Sequence, residues 1–123
     1  METDLLTQKV IGCAIEVHKE LGPGLLESSY ECCLMYELAK AGIVAKNQVV
    51  LPVNYKGVLI ESGYRIDILL PKKLIVELKA VDKLSPIHTA QMITYLKLSE
   101  IKTGLLINFN VQKLSDGLKR ISM

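Results

Sequence analysis

The sequence predicts an α/β domain with its elements in the order ααββββαβ, plus an optional last strand at the C-terminus. Three observations lead there. Two stretches near the N-terminus repeat apolar residues at helical spacing, and the middle of the chain switches to short apolar runs broken by turn residues. Two of those runs, in "YRIDILLPKKLIVELKA", are apolar on both faces, which marks strands covered by helices on either side. Half of the 123 residues are hydrophobic and 23% are charged, so the chain can build one ordinary core, and residues 1–123 are read as a single domain.

In the first helix, Leu6, Val10, Cys13, Ala14, Val17 and Leu21 fall on one face, and Gly22 supplies the stop. "GPGLLE" breaks the chain before a second helix, about Leu26 to Ala41, closed by Gly42. "VVLPVNY" and "VLIESGYRIDILL" read as strands around the turn Tyr55-Lys56-Gly57. A hairpin turning at Pro71-Lys72-Lys73 follows. Ser85-Pro86 reads as N-cap and first position of a third helix that runs to about Ser99. "TGLLINF" is another doubly apolar strand, and "GLKRISM" is the candidate last edge strand.

A net charge of +2 permits a nucleic-acid partner without demanding one. No signal peptide is expected, and the apolar runs fall short of the roughly 20 residues a membrane span needs. Cys13, Cys32 and Cys33 are odd in number and form no CxxC pair, which suits reduced thiols packed inside a cytoplasmic protein.

Three charges interrupt the two-faced apolar hairpin. With a three-residue loop, Leu70 pairs with Leu74, Asp67 lies opposite Glu77, and Arg65 lies opposite Lys79. Glu77 and Lys79, two apart on one strand, share a face, so Asp67, Glu77 and Lys79 converge. A two-residue turn would slip the register and separate them. Two close carboxylates repel unless positive charge lies between them, and their oxygens suit Mg²⁺ or Mn²⁺. An ammonium beside them could orient a water or steady developing negative charge. The plain alternative is a solvated surface salt bridge.

Asp67 followed by Glu77-Leu78-Lys79 resembles the core of the PD-(D/E)xK nuclease superfamily, with Ile66 where the superfamily's name has proline. Upstream, Gly24, Glu27 and Tyr30 in "GLLESSY" match the signature of its GxxExxY branch. Gln91 and Tyr95 resemble the QxxxY motif of RecB-like nucleases. The resemblance covers about Leu5 to Asn110. It implies a restriction-endonuclease-like core, a mixed sheet flanked by helices. It implies metal ligation by Asp67 and Glu77, a water positioned by Lys79, and a catalytic set completed by Glu27, Gln91 and Tyr95. The implied activity is metal-dependent hydrolysis of phosphodiester bonds, with DNA expected before RNA and a homodimer as a candidate assembly.

Each of these residues has a plainer reading. Glu27 could serve only the helix dipole. Tyr95 could be a core aromatic with a satisfied hydroxyl. His18 and His88 are read chiefly as structural. Lys72, Lys73, Lys83, Lys97 and Lys102 are read as solvated surface, with some available to track a phosphate backbone. The rival function is a catalytically silent module that binds nucleic acid or a protein. An intact acid pair favours the enzyme, because a binder has no need of it.

Overall fold

The computed structural model describes residues 2–61 and 63–123, with side chains described from residue 4 onward. Two helices come first, α1 (Glu2–Leu21) and α2 (Glu27–Lys40). Five strands follow: β1 (Lys46–Val50), β2 (Val53–Tyr55), β3 (Val58–Ile60), β4 (Arg65–Leu70) and β5 (Leu74–Lys79). Then come α3 (Pro86–Ser99), β6 (Thr103–Asn108), a 3₁₀ turn over Leu114–Gly117, and β7 (Leu118–Ser122). The predicted helices form, and the C-terminal strand joins the sheet.

One expected strand is two. "VVLPVNY" breaks between Val50 and Val53, where Pro52 has no N–H to give a ladder. β2 and β3 pair only with each other, as a small ribbon that continues the β1–β4 hairpin beyond that break.

The five remaining strands form one sheet in the order β1-β4-β5-β6-β7. All neighbours are antiparallel except β5 and β6, which run parallel. A parallel pair needs a crossover, and α3 supplies it. The architecture is therefore α/β with a mixed sheet, consistent with a restriction-endonuclease-like core.

The two-faced apolar pattern is explained by two packed layers. On one face α1 and α2 bring Val10, Ala14, Val17, Tyr30, Leu34 and Leu38 against Ile68, Leu70, Leu74, Val76 and Leu78. On the other, α3 sets Met92, Tyr95 and Leu96 against Ile66, Ile75 and Leu106. Every residue of β5 from Leu74 to Leu78 is buried, including Glu77.

Cys13 and Cys33 pack half-buried beside the first layer, whereas Cys32 is exposed, contrary to the expectation of three buried thiols. All three are free. Among the described residues no helix is long and apolar enough to cross a membrane.

Candidate active site

The β4–β5 hairpin closes through Pro71, Lys72 and Lys73, with Lys72 in the left-handed region at φ 64°. Leu70 pairs with Leu74, Leu69 with Ile75, and Ile68 with Val76, which is the register the three-residue loop requires. Backbone pairing then stops, one step before Asp67 and Glu77. From there the carboxylates replace it. The Asp67 N–H donates to Glu77 Oε2 at 2.7 Å, and the Leu78 N–H donates to Asp67 Oδ2 at 2.9 Å. Each acid thus binds the opposite strand's backbone, and the two strands are held apart at this point. The expected pairing of Arg65 with Lys79 lies beyond the end of the ladder and does not form. Arg65 pairs instead with Val50 of β1, and Lys79 with Asn108 of β6.

The irregularity extends to β1. Ile66 packs in the α3 layer and Ile68 in the α1–α2 layer, so the alternation of β4 is interrupted at Asp67. The β1–β4 register puts Gln48 opposite Asp67, and Gln48 has φ 51°, a left-handed conformation that is uncommon for a residue with a side chain. Its amide donates to Glu31 Oε1 at 2.7 Å and to Asp67 Oδ1 at 3.4 Å. Asn47 donates to the other oxygen of Glu31 at 3.1 Å.

Burial dominates the electrostatics. Glu77 is 4% exposed, and loss of solvation pushes its carboxyl from 4.5 up to about 8, with the Asp67 charge adding to the rise. The bond from the Asp67 N–H and the Lys79 charge pull the other way without winning. Asp67 is raised as well, first by burial, against the opposing bond from Leu78; Glu31 and Glu27 raise it further and Lys79 lowers it. Lys79 therefore stands within electrostatic reach of both acids. Tyr95 is raised to about 12 by burial and then by Glu77, Asp67 and Tyr64, so its hydroxyl keeps its proton. The cluster is short of positive charge.

α2 borders this cluster because of Tyr30. Its hydroxyl donates to the Gly22 carbonyl at 2.6 Å and accepts from the Leu25 N–H at 3.1 Å, while its ring stacks on Phe109 at 4.3 Å. The loop so anchored turns through Gly24 at φ 98°, a conformation that favours glycine. Glu27 opens α2 directly after it and accepts the Ala80 N–H at 3.2 Å. The three residues of the G-x-x-E-x-x-Y run thus make a turn, a lock on that turn, and a carboxylate delivered to the end of β5.

α3 supplies the other wall. Tyr95 is buried, its ring edge-on to Tyr64 at 6.0 Å, and Gln91 is half-buried one turn earlier on the same side. His88 accepts the Ser85 N–H through Nδ1 at 3.0 Å and caps the helix. His18 lies away from the cluster. It contacts the Val111 carbonyl through Nε2 at 2.7 Å and ties α1 to the C-terminal loop.

Three residues of this neighbourhood escaped the sequence reading. Glu31 had a signal, since it lies four residues after Glu27 on one helix face. Gln48 had none, because the acids its amide meets, Glu31 and Asp67, are remote in sequence. Asn108, at the end of β6, accepts the Val81 and Asn110 N–H groups and donates to the Val81 carbonyl at 2.8 Å. It fixes the chain just after Lys79, and its place at the end of "GLLIN" was the only hint.

A family model described as the PD-(D/E)XK nuclease superfamily matches residues 4–121. No curated protein and no solved structure matches this chain.

Proposed function

Because the chain belongs to the PD-(D/E)XK nuclease superfamily, we propose that it is a metal-dependent nuclease, a single domain of the GxxExxY branch that hydrolyses phosphodiester bonds in DNA in preference to RNA. The observation that carries this reading is the pair of half-buried Asp67 and buried Glu77, bonded across the gap between two strands and both raised in pKa. A carboxyl held up to about 8 by burial and a neighbouring acid gains most from a cation placed between the two.

Their carboxylate oxygens are the donor type a hard divalent ion takes. Asp67 and Glu77 would hold Mg²⁺ or Mn²⁺. Such an ion supplies Lewis-acid polarisation of a phosphoryl oxygen and an acidified water when bound.

The chain's own groups do the rest. The Lys79 ammonium, already felt by both acids, orients the attacking water and offsets negative charge building on the phosphoryl oxygens. That charge grows toward the transition state, so the ammonium contributes more there than in the bound substrate. Tyr95, protonated throughout the neutral range, donates its hydroxyl toward the same oxygens, and the Gln91 amide supports the substrate from one turn away. Glu27 holds Ala80 and so fixes the strand end from which Lys79 projects.

The test is single-turnover cleavage of single- and double-stranded DNA and RNA with Mg²⁺ or Mn²⁺, beside binding in Ca²⁺. Wild type should cut only with metal. Lys79→Met should lower cleavage about 10²-fold or more while affinity falls slightly. Asp67→Asn should remove the metal-induced rise in Tm. Absence of cleavage with either metal on every substrate would overturn the assignment, as would an equal metal-induced Tm rise in Asp67→Asn.

A further inference from the structure

A cavity of about 320 Å³ opens between Tyr64 and the outer face of α3, lined by Ile87, His88, Gln91, Thr94 and Tyr95. Four features fix what it can hold. Its volume lies at the lower end of the ~300–1,000 Å³ range of small-ligand clefts, enough for one planar group and too small for a packed protein element. Tyr64 is 41% exposed, so part of its ring is free. Its position is restrained as well: the Leu51 N–H donates to the Tyr64 backbone carbonyl at 2.9 Å, and the Tyr95 ring meets the Tyr64 ring edge-on. Finally, unused polar groups face the same space. The Gln91 amide makes no hydrogen bond among the described residues, and His88, with Nδ1 occupied by the Ser85 N–H, is left with Nε2 as a donor.

An aromatic platform beside an uncommitted amide and an imidazole N–H suits a flat ring with donors and acceptors on its edge. The cavity also connects to the chemistry. Tyr95 is one of its walls, and the same side chain stands near enough to Glu77 and Asp67 for their charges to act on its hydroxyl. Tyr95 is thus the wall that the cavity shares with the carboxylate cluster.

We propose that this cavity receives one unstacked base of the nucleic-acid substrate, with the Tyr64 ring as its stacking platform and Gln91 and His88 against its edge. The inference rests on the nuclease reading for the identity of the ligand. It adds that the reacting strand is single-stranded or frayed there, because both faces of a base inside a duplex are already covered by its neighbours. Stacking on Tyr64 accepts any base, so the cavity selects strandedness more than sequence.

The experiment compares two probes in Ca²⁺: a short single-stranded oligothymidylate, and a strand of equal length and charge built from tetrahydrofuran abasic residues. Wild type should bind the base-bearing strand about 10-fold or more tightly, the scale of one base on one aromatic ring. Tyr64→Leu keeps apolar volume and removes the ring, so it should bring the ratio close to one while abasic-strand affinity stays the same. Tyr64→Phe should retain the ratio. Equal binding of the two probes by wild type, binding of neither, or an undiminished ratio in Tyr64→Leu would overturn the proposal. Cleavage is read separately with Mg²⁺. Base-dependent binding without cleavage leaves the cavity assigned and removes the nuclease; cleavage without base dependence does the reverse.

Discussion

Replacing Glu77 with glutamine should stabilise the metal-free protein, and the gain should grow with pH. In the unfolded chain the Glu77 carboxyl ionises near 4.5, whereas in the fold it holds its proton to about 8. Between those values the folded state binds the extra proton, so stability falls as pH rises through the window. Below about 4.5 both states are neutral and the penalty vanishes; above about 8 both are charged and it is complete. A rise from 4.5 to about 8, at 1.36 kcal/mol per pH unit, sets a ceiling of about 5 kcal/mol. Relaxation and water entry around a buried charge reduce such penalties, so a measured gap of about 2–5 kcal/mol is expected at pH 8.5. The glutamine carbonyl can still accept the Asp67 N–H that now reaches Glu77 Oε2, which keeps the strand geometry. Urea unfolding of wild type and Glu77→Gln, with chelator present and at half-unit steps from pH 4.5 to 9, gives the difference directly. Asp67 is raised for the same first reason, so the observed midpoint belongs to the pair. A gap that is independent of pH, or that shrinks as pH rises, would refute the reasoning.

Gly117→Ala should cost about 3 kcal/mol, because the new methyl would strike the backbone carbonyl of Asn108 and press on Val111, and a backbone atom cannot swing aside. Denaturant unfolding checks it, and a loss below about 0.5 kcal/mol would show that the turn yields. Tyr30→Phe keeps the stack on Phe109 but leaves the Gly22 carbonyl and the Leu25 N–H without their partner. A loss of about 1–2 kcal/mol is expected from thermal or urea melts; an unchanged variant would mean that the turn before α2 holds without the lock.

The helices and the hairpin register were legible because both depend on local chemistry. Gly22, Gly42 and Ser85-Pro86 punctuate the helices, and a three-residue loop sets Leu70 against Leu74. From that register alone Asp67 and Glu77 could be brought face to face. What the register hid is that the ladder ends there. Nothing in "RIDILL" says that Ile66 and Ile68 pack on opposite layers, since that turn of the strand is imposed by neighbours remote in sequence. Gln48 belongs to the same class: the groups its amide meets, Glu31 and Asp67, lie 17 and 19 residues away on other elements. The break at Pro52 carries its own local signal, a residue without an N–H to give a ladder, set against apolar neighbours that by themselves read as one continuous strand.

The two acids that face each other between β4 and β5 are also rungs of the sheet, each accepting a backbone N–H from the opposite strand. Under the proposed nuclease reading, selection on folding and selection on chemistry act on the same two side chains. On that reading, a descendant that had lost the proposed activity would still need an acceptor at both positions, so it should drift first to asparagine and glutamine, which keep a carbonyl there, and not to alanine. Lys79 is under no such constraint, since its ammonium supports neither strand. In a lineage losing its activity, the lysine is where decay should be written first, while the acids persist as relics of the sheet they hold open.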